Sequence, residues 1–149
     1  MSSKKILLAT DCSQACAEAL IVASSLARDT SSRLIIAYVS ESELHPVGEL
    51  FNEEPKASPT EMAQLEAIRP TDSSVKYEHR LLFGEPGSVS VVKPADPILK
   101  LAREENVDMI VIGTHGRSGL LRIVMGSVAQ QVLNGATCPV VTVKHRSDT

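Results

Sequence analysis

VDMIVIGTHGRSGLLRIVMGSVAQQVLNGATCPVVTVK, from Val107 to Lys144, strings together an apolar strand, a loop, an amphipathic helix and a second apolar strand. The loop carries Gly113, Gly116, Gly119 and Gly126, and Ser127 follows the last of them. Glycine lets a backbone approach a ligand closely, and the unbonded N–H groups of a helix start attract anions. That combination suits a phosphate group.

Outward from this stretch the pattern alternates strand and helix. Lys5 to Thr10, Arg33 to Val39, Val107 to Ile112 and Val140 to Val143 are short continuous apolar runs, as expected of parallel strands covered on both faces by helices. Between the first two, Ser13 is placed to cap a helix bearing Ala15, Ala19, Leu20, Ala23, Leu26 and Ala27 on one face. Asp96-Pro97 opens another helix, with Ile98, Leu101 and Ala102 facing inward and Asn106 as a left-handed stop. Ser127 opens the last helix, whose Val128, Ala129, Val132 and Leu133 form a stripe expected to be buried before Gly135 ends it.

The middle of the chain reads differently. Residues 40–73, rich in Glu, Ser and Pro, are expected to form an exposed excursion. Within it Ser58-Pro59-Thr60-Glu61 is a capping box with proline at the first helical position, predicting a short helix to Arg69 that Pro70 stops. Val75, Tyr77, His79 and Leu81 alternate with Lys76, Glu78 and Arg80, the pattern of a half-exposed edge strand. Residues 84–95 exceed a short strand-to-helix link and read as an insertion, with Val89, Val91 and Val92 able to form a small hairpin or flap.

Spacing decides which phosphate loop this is. No Gly-Lys pair occurs, so the loop of the common NTPases is excluded, and the glycines follow a late strand with the wrong spacing for the dinucleotide fingerprint. What stands is Gly113-x2-Gly116-x9-Gly126-Ser127, which resembles the ATP-binding signature of the universal stress protein family. The likeness extends to KKILLATD at the start, RLIIAYV after the first helix and ILKLAREENVDMIVIG before the loop, and is weakest over residues 40–95.

The resemblance implies a single doubly wound α/β domain over residues 1–149, with a five-stranded, mainly parallel sheet in the order 3-2-1-4-5 and helices on both faces. A sheet of this kind binds ligands outside the carboxyl ends of its strands where the order reverses, here between the first and fourth strands. The first ends at Ala9-Thr10-Asp11 and the fourth at Ile112-Gly113. By resemblance Asp11 contacts the ribose or a metal, Val39 offers backbone hydrogen bonds to adenine, and the segment from Gly113 through His115, Gly116 and Arg117 to Gly126, Ser127 and Val128 holds the phosphates. ATP, or ADP or AMP, with Mg or Mn is the implied cofactor.

Each of these residues also has a plainer role. Asp11 ahead of a helix can be a cap or turn former, and Ser127 an N-cap. His115, a single histidine without a partnered carboxylate or serine, fits loop shaping or a phosphate hydrogen bond better than base catalysis. Arg117 and Arg122 supply positive charge near a triphosphate, yet solvated surface is the usual place of arginine. Cys12 and Cys16, four apart, would lie one turn from each other on the first helix, while Cys138 enters the last strand from the opposite end of the sheet. They offer too few ligands for zinc and lack the Cys-x-x-Cys redox spacing, so reduced, packed cysteines dispensable for nucleotide binding are expected.

Composition bounds the partners. Fifteen basic against eighteen acidic residues give a net charge of −3, which disfavours nucleic acid and anionic membrane. With no Trp, two Phe and two Tyr, stacking platforms for single strands are scarce. No apolar run approaches the ~20 residues needed to cross a bilayer, and Met1 to Lys5 leads into a strand without the features of a signal peptide, so a cytoplasmic protein is expected. The last strand, residues 140–144, would lie at a sheet edge and invite a homodimer. With no evident general base, phosphate-transferring lysine or arginine finger, the reading is an ATP-binding stress-protective or regulatory module with little or no hydrolysis. Its rivals are an enzyme that hydrolyses or transfers nucleotides, and a structural dimer that holds none.

Overall fold

Alternation inside the apolar runs decides which helix covers which face of the sheet. The computed structural model describes residues 4–12, 16–40, 58–83, 95–114 and 126–144. In chain order these form β1 (Lys5–Ala9), α1 (Ala17–Thr30), β2 (Arg33–Val39), α2 (Pro59–Glu66), β3 (Tyr77–Leu82), α3 (Ala95–Glu104), β4 (Met109–Gly113), α4 (Ser127–Gly135) and β5 (Val140–Val143). The five strands make one sheet in the order β3-β2-β1-β4-β5. Every pairing is parallel, with Leu7 opposite Ile35 and Ile110, and Ala9 opposite Ala37 and Ile112. The sheet among the described residues is thus wholly rather than mainly parallel.

Successive side chains of a strand point to opposite faces. Leu7, Ala9, Ile35, Ala37, Ile110 and Ile112 therefore pack with Ile98, Leu101 and Ala102 of α3 and Ala129 and Val132 of α4. Their neighbours Ile6, Leu8, Leu34, Ile36 and Val111 face the other way, onto Ala19, Ala23 and Ala27 of α1 and Leu65 of α2. Burying each Leu, Ile or Val side chain stabilises the fold by roughly 1.5–3 kcal/mol. Placing small alanines on α1 brings that helix close to the sheet.

Edge strands are less covered. β3 is partly buried along Glu78 to Leu82, and all of β5 is intermediate in burial. Beside β3, polar groups tie strands to the turn before β4. Glu105 accepts from Lys5 Nζ at 3.0 Å and from Arg80 Nη2 at 2.7 Å, while Arg80 Nε donates to Glu78 at 3.2 Å.

Several expected boundaries move. Cys16 precedes the first residue of α1 and makes no side-chain cap, and Ser13, the expected cap, lies with Ala15 outside the described residues. Cys12 has φ 64°, off the helix, so the two cysteines do not stack one turn apart. The helix ends at Ser31 in the left-handed conformation, a stop the sequence reading did not identify; Asn106, at φ 50°, is left-handed as expected. Helix α2 ends at Glu66, three residues before the expected Arg69, although Ser58 does cap it and Pro59 does stand at its start.

One expectation for α4 fails for a packing reason. Leu133 is 38% exposed rather than part of the buried stripe, because Ala129 and Val132 already fill the face toward the sheet. Gly135 ends the helix as expected, as its last residue. A Cβ there would lie 2.6 Å from Leu99 Cδ1, so glycine lets the end of α4 come close to α3. The segments 41–57 and 84–94, with the proposed flap at Val89, Val91 and Val92, lie outside the described residues.

Candidate functional site

The carboxyl ends of β1 and β4 stand side by side, as the register Ala9 opposite Ile112 requires. One rung beyond, Thr10 N–H donates to Ala37 C=O at 2.9 Å, and beyond β4 Thr114 N–H donates to Val143 C=O at 2.9 Å. These last rungs fix where the chain leaves the sheet on each side of the crevice.

On the β4 side the chain departs after Thr114 and returns at Gly126, whose N–H donates to Thr114 C=O at 2.6 Å. Gly126 is the N-cap of α4, extended at φ −60° and ψ 154°, and contributes no side-chain cap. Ser127 is therefore the first helical residue, not the cap, and is exposed. The first intrahelical bond runs from Gln130 N–H to Gly126 C=O at 3.1 Å. The amides of Ser127, Val128 and Ala129 precede it and have no intrahelical acceptor. No acidic residue sits in this first turn, so no carboxylate of the helix itself offsets the positive end of its dipole.

On the β1 side the turn is built by Thr10 and Cys12. Thr10 Oγ1 accepts from Cys12 N–H at 3.0 Å, a side-chain turn that accompanies the left-handed Cys12. Asp11, between them, is held by Cys16, whose Sγ donates to Asp11 Oδ1 at 3.1 Å, and the other oxygen, Oδ2, is buried. Burial pushes the Cys16 thiol up from its ordinary value, and the neighbouring Asp11 charge adds to the rise, so Cys16 remains an S–H donor at neutral pH.

Val39 closes the third side. Along β2 the peptide groups alternate, Arg33 N–H donating toward β1 at Lys4 and Leu34 N–H toward β3 at Lys76. By this alternation the N–H and C=O of Val39 face the β1 side. Continuing the ladder there would take Cys12 N–H to Val39 C=O, but that amide bonds Thr10 Oγ1 instead. Next to Val39, Ser40 Oγ donates to Glu61 Oε1 at 2.7 Å, tying α2 to the end of β2.

Ala9, Thr10, Asp11, Val39, Gly113, Gly126, Ser127 and Val128 thus stand at one end of the sheet, on neighbouring strand ends or at the start of α4. His115, Gly116 and Arg117, with Gly119 and Arg122, lie outside the described residues. Cys138 enters β5 at the opposite end, as expected for a parallel strand, and burial raises its thiol pKa too. Sequence reasoning missed two contacts here. The Cys16–Asp11 bond spans a turn of unforeseen shape, and Glu61, whose amide donates to the capping Ser58 as the box predicts, also accepts from Ser40 through its carboxylate.

The universal stress protein family model matches residues 2–144. The chain belongs to the universal stress protein family. A universal stress protein of Methanocaldococcus jannaschii is 30% identical over 151 residues, covering 95% of this chain and 82% of its own length. One of Thermus aquaticus is 33% identical over 144 residues, covering 95% and 98%. Among solved structures, a hypothetical protein of M. jannaschii aligns with a TM-score of 0.73 at 29% identity, covering 99% of this chain and all of that one. A more distant universal stress protein from Archaeoglobus fulgidus, solved in complex with dAMP, shares the fold with a TM-score of 0.63 at 22% identity, covering 97% of this chain and 100% of its own. Another universal stress protein of this fold was solved in complex with cAMP.

Proposed function

We propose that this universal stress protein binds an adenine nucleotide, ATP in the first instance, in the crevice between the ends of β1 and β4. The observation that carries the reading is the start of α4. Gly126 pins a helix terminus without a side-chain cap to the end of β4, and first-turn amides that have no intrahelical acceptor suit phosphate oxygens. The complexes of other family members with dAMP and with cAMP support an adenine nucleotide as the ligand class. Adenine would take the peptide groups of Val39, the ribose would lie by Asp11, and the phosphates would meet Gly113, Gly126, Ser127 and Val128, with His115, Gly116 and Arg117 in the intervening loop.

A divalent cation, Mg or Mn, would come with the phosphates. The Asp11 carboxylate is the hard oxygen ligand such a cation takes. Among the described residues no group of three or more His, Cys, Asp or Glu could hold a metal, so its other ligands would include the nucleotide's phosphates. The role we infer is a nucleotide-responsive protective or regulatory module of the cytoplasm, with little or no hydrolysis. No helix among the described residues is long and apolar enough to cross a membrane. We also infer a homodimer through β5, whose Val140 to Val143 are partly exposed at the edge of the sheet formed by the described residues.

Mass analysis of small molecules released from freshly purified, denatured protein, followed by calorimetric titration of the stripped protein with ATP and magnesium, tests the proposal. Neither co-purified nucleotide nor binding would leave a structural dimer as the reading, and sustained turnover of ATP would make the protein an enzyme.

A further inference from the structure

Asp11 stands where β1 gives way to α1, in a turn that no run of secondary structure holds. A carboxylate there can rotate about its side-chain bonds, and each rotation redirects the oxygen offered to a ligand. Two features limit that freedom. Cys12 takes the left-handed conformation with its amide on Thr10 Oγ1, which sets the path of the backbone after Asp11. Cys16, 8% exposed and immediately ahead of α1, puts its Sγ 3.1 Å from Asp11 Oδ1.

We propose that Cys16 is a positioning residue for the nucleotide site, orienting the Asp11 carboxylate through this contact. The proposal rests on the nucleotide reading above, and it departs from the expectation that the cysteines are dispensable. The thiol is carried by the base of a helix anchored in the core through Ala19 and Ala23, so its position is set by packing rather than by the turn. By holding Oδ1 it sets the plane of the carboxylate, and with it the direction of Oδ2. An S–H group is a weak donor, and Asp11 makes further contacts, so the bond selects an orientation rather than holding the fold together.

The test is a double-mutant cycle on the full chain, reading the affinity for ATP with magnesium by calorimetry and stability by urea denaturation. Cys16→Ala should weaken binding roughly three- to tenfold, the scale of one modest hydrogen bond. Cys16→Val, which fills the thiol's space without a donor, should do the same if the alanine variant folds poorly. Cys16→Ser should restore most of the affinity. In an Asp11→Ala background the same changes at Cys16 should have no further effect on binding, an outcome that a purely structural role would not produce. Wild-type affinity in both donor-free variants overturns the proposal, as does an undiminished effect in the Asp11→Ala background. Absence of ATP binding by the wild type overturns the nucleotide reading and this proposal with it, whereas tight wild-type binding that is indifferent to Cys16 overturns this proposal alone.

Discussion

Replacing Gly126 by alanine tests the phosphate half of the site with a single added methyl group. At φ −60° and ψ 154° any residue fits the backbone, so the cost is steric and not conformational. The new Cβ would lie 3.0 Å from Thr114 O. Moving that oxygen aside would strain the bond by which it accepts the Gly126 amide at 2.6 Å. Overpacking of this kind costs about 1–3 kcal/mol, offset by about 0.4–1 kcal/mol from the reduced freedom of the unfolded chain. A net loss of roughly 1–2 kcal/mol should appear as a lower urea midpoint with an unchanged slope. The start of α4 must also shift by a few tenths of an ångström, carrying with it the first-turn amides proposed to meet phosphate. Losing one charge-assisted hydrogen bond costs about 1.5–3 kcal/mol, so ATP affinity should fall roughly ten- to a hundredfold. Ser127→Ala, which keeps every backbone amide, should fall at the lower end of that range or below it. Wild-type affinity in both variants, with the stability loss present in Gly126→Ala, would show that the helix start does not bind phosphate.

Three further outcomes follow from other parts of the fold. Thr142→Pro, which removes an amide from the β5 edge, should convert a dimer to a monomer in sedimentation at micromolar concentration; a wild-type protein that already sediments as a monomer refutes the β5 interface. Cys12→Gly should leave stability equal or higher, while Cys12→Val should lose about 1–2 kcal/mol, since φ 64° crowds any side chain and a β-branched one most; equal midpoints for the two variants would argue against a left-handed turn. The hydrogen bond from Lys5, and the charges of Lys5 and Arg80, hold the Glu105 carboxyl below its ordinary value of 4.5. Because the folded value is the lower one, this stabilisation is present above about pH 4.5 and is lost as pH falls through the folded value. Stability measured from pH 7 to pH 3 should therefore drop less in Glu105→Gln than in the wild type, and parallel curves would mean that the ion pairs contribute nothing.

The sheet was legible because its strands are buried on both faces. Ile6 to Ala9 and Leu34 to Tyr38 are apolar at every position, a pattern that suits a central parallel strand. The alternation of Val75, Tyr77, His79 and Leu81 with Lys76, Glu78 and Arg80 likewise marked an edge strand, which β3 is, although Tyr77 at its start is exposed rather than turned inward. Helix ends were harder, since they turn on single backbone angles. Asn106 could be read as a left-handed stop because asparagine tolerates that conformation, whereas serine at position 31 carries no such signal and adopts it once the helix has to turn back into β2. Leu133 was misread, and the close packing at Gly135 missed, for a related reason. Their roles depend on how α4 lies against α3 and the sheet, and one-dimensional periodicity does not contain that angle.

The same division runs through the candidate site. Its phosphate half is written locally, in glycines at fixed spacing before a helix, because the groups expected to meet the ligand are backbone amides and their positions follow from the path of the chain. Its carboxylate half is not local. Asp11 acquires a direction only when a left-handed cysteine bends the chain and a thiol five residues later returns to meet it. Neither event has a residue-type signature, since cysteine is uncommon at positive φ and a Cys–Asp contact at that spacing belongs to no regular element. A motif of glycines therefore identifies where a phosphate can be held. What sets the direction of the acidic residue opposite it is a packing relation between β1 and the base of α1, and that relation became visible only when both elements were in place.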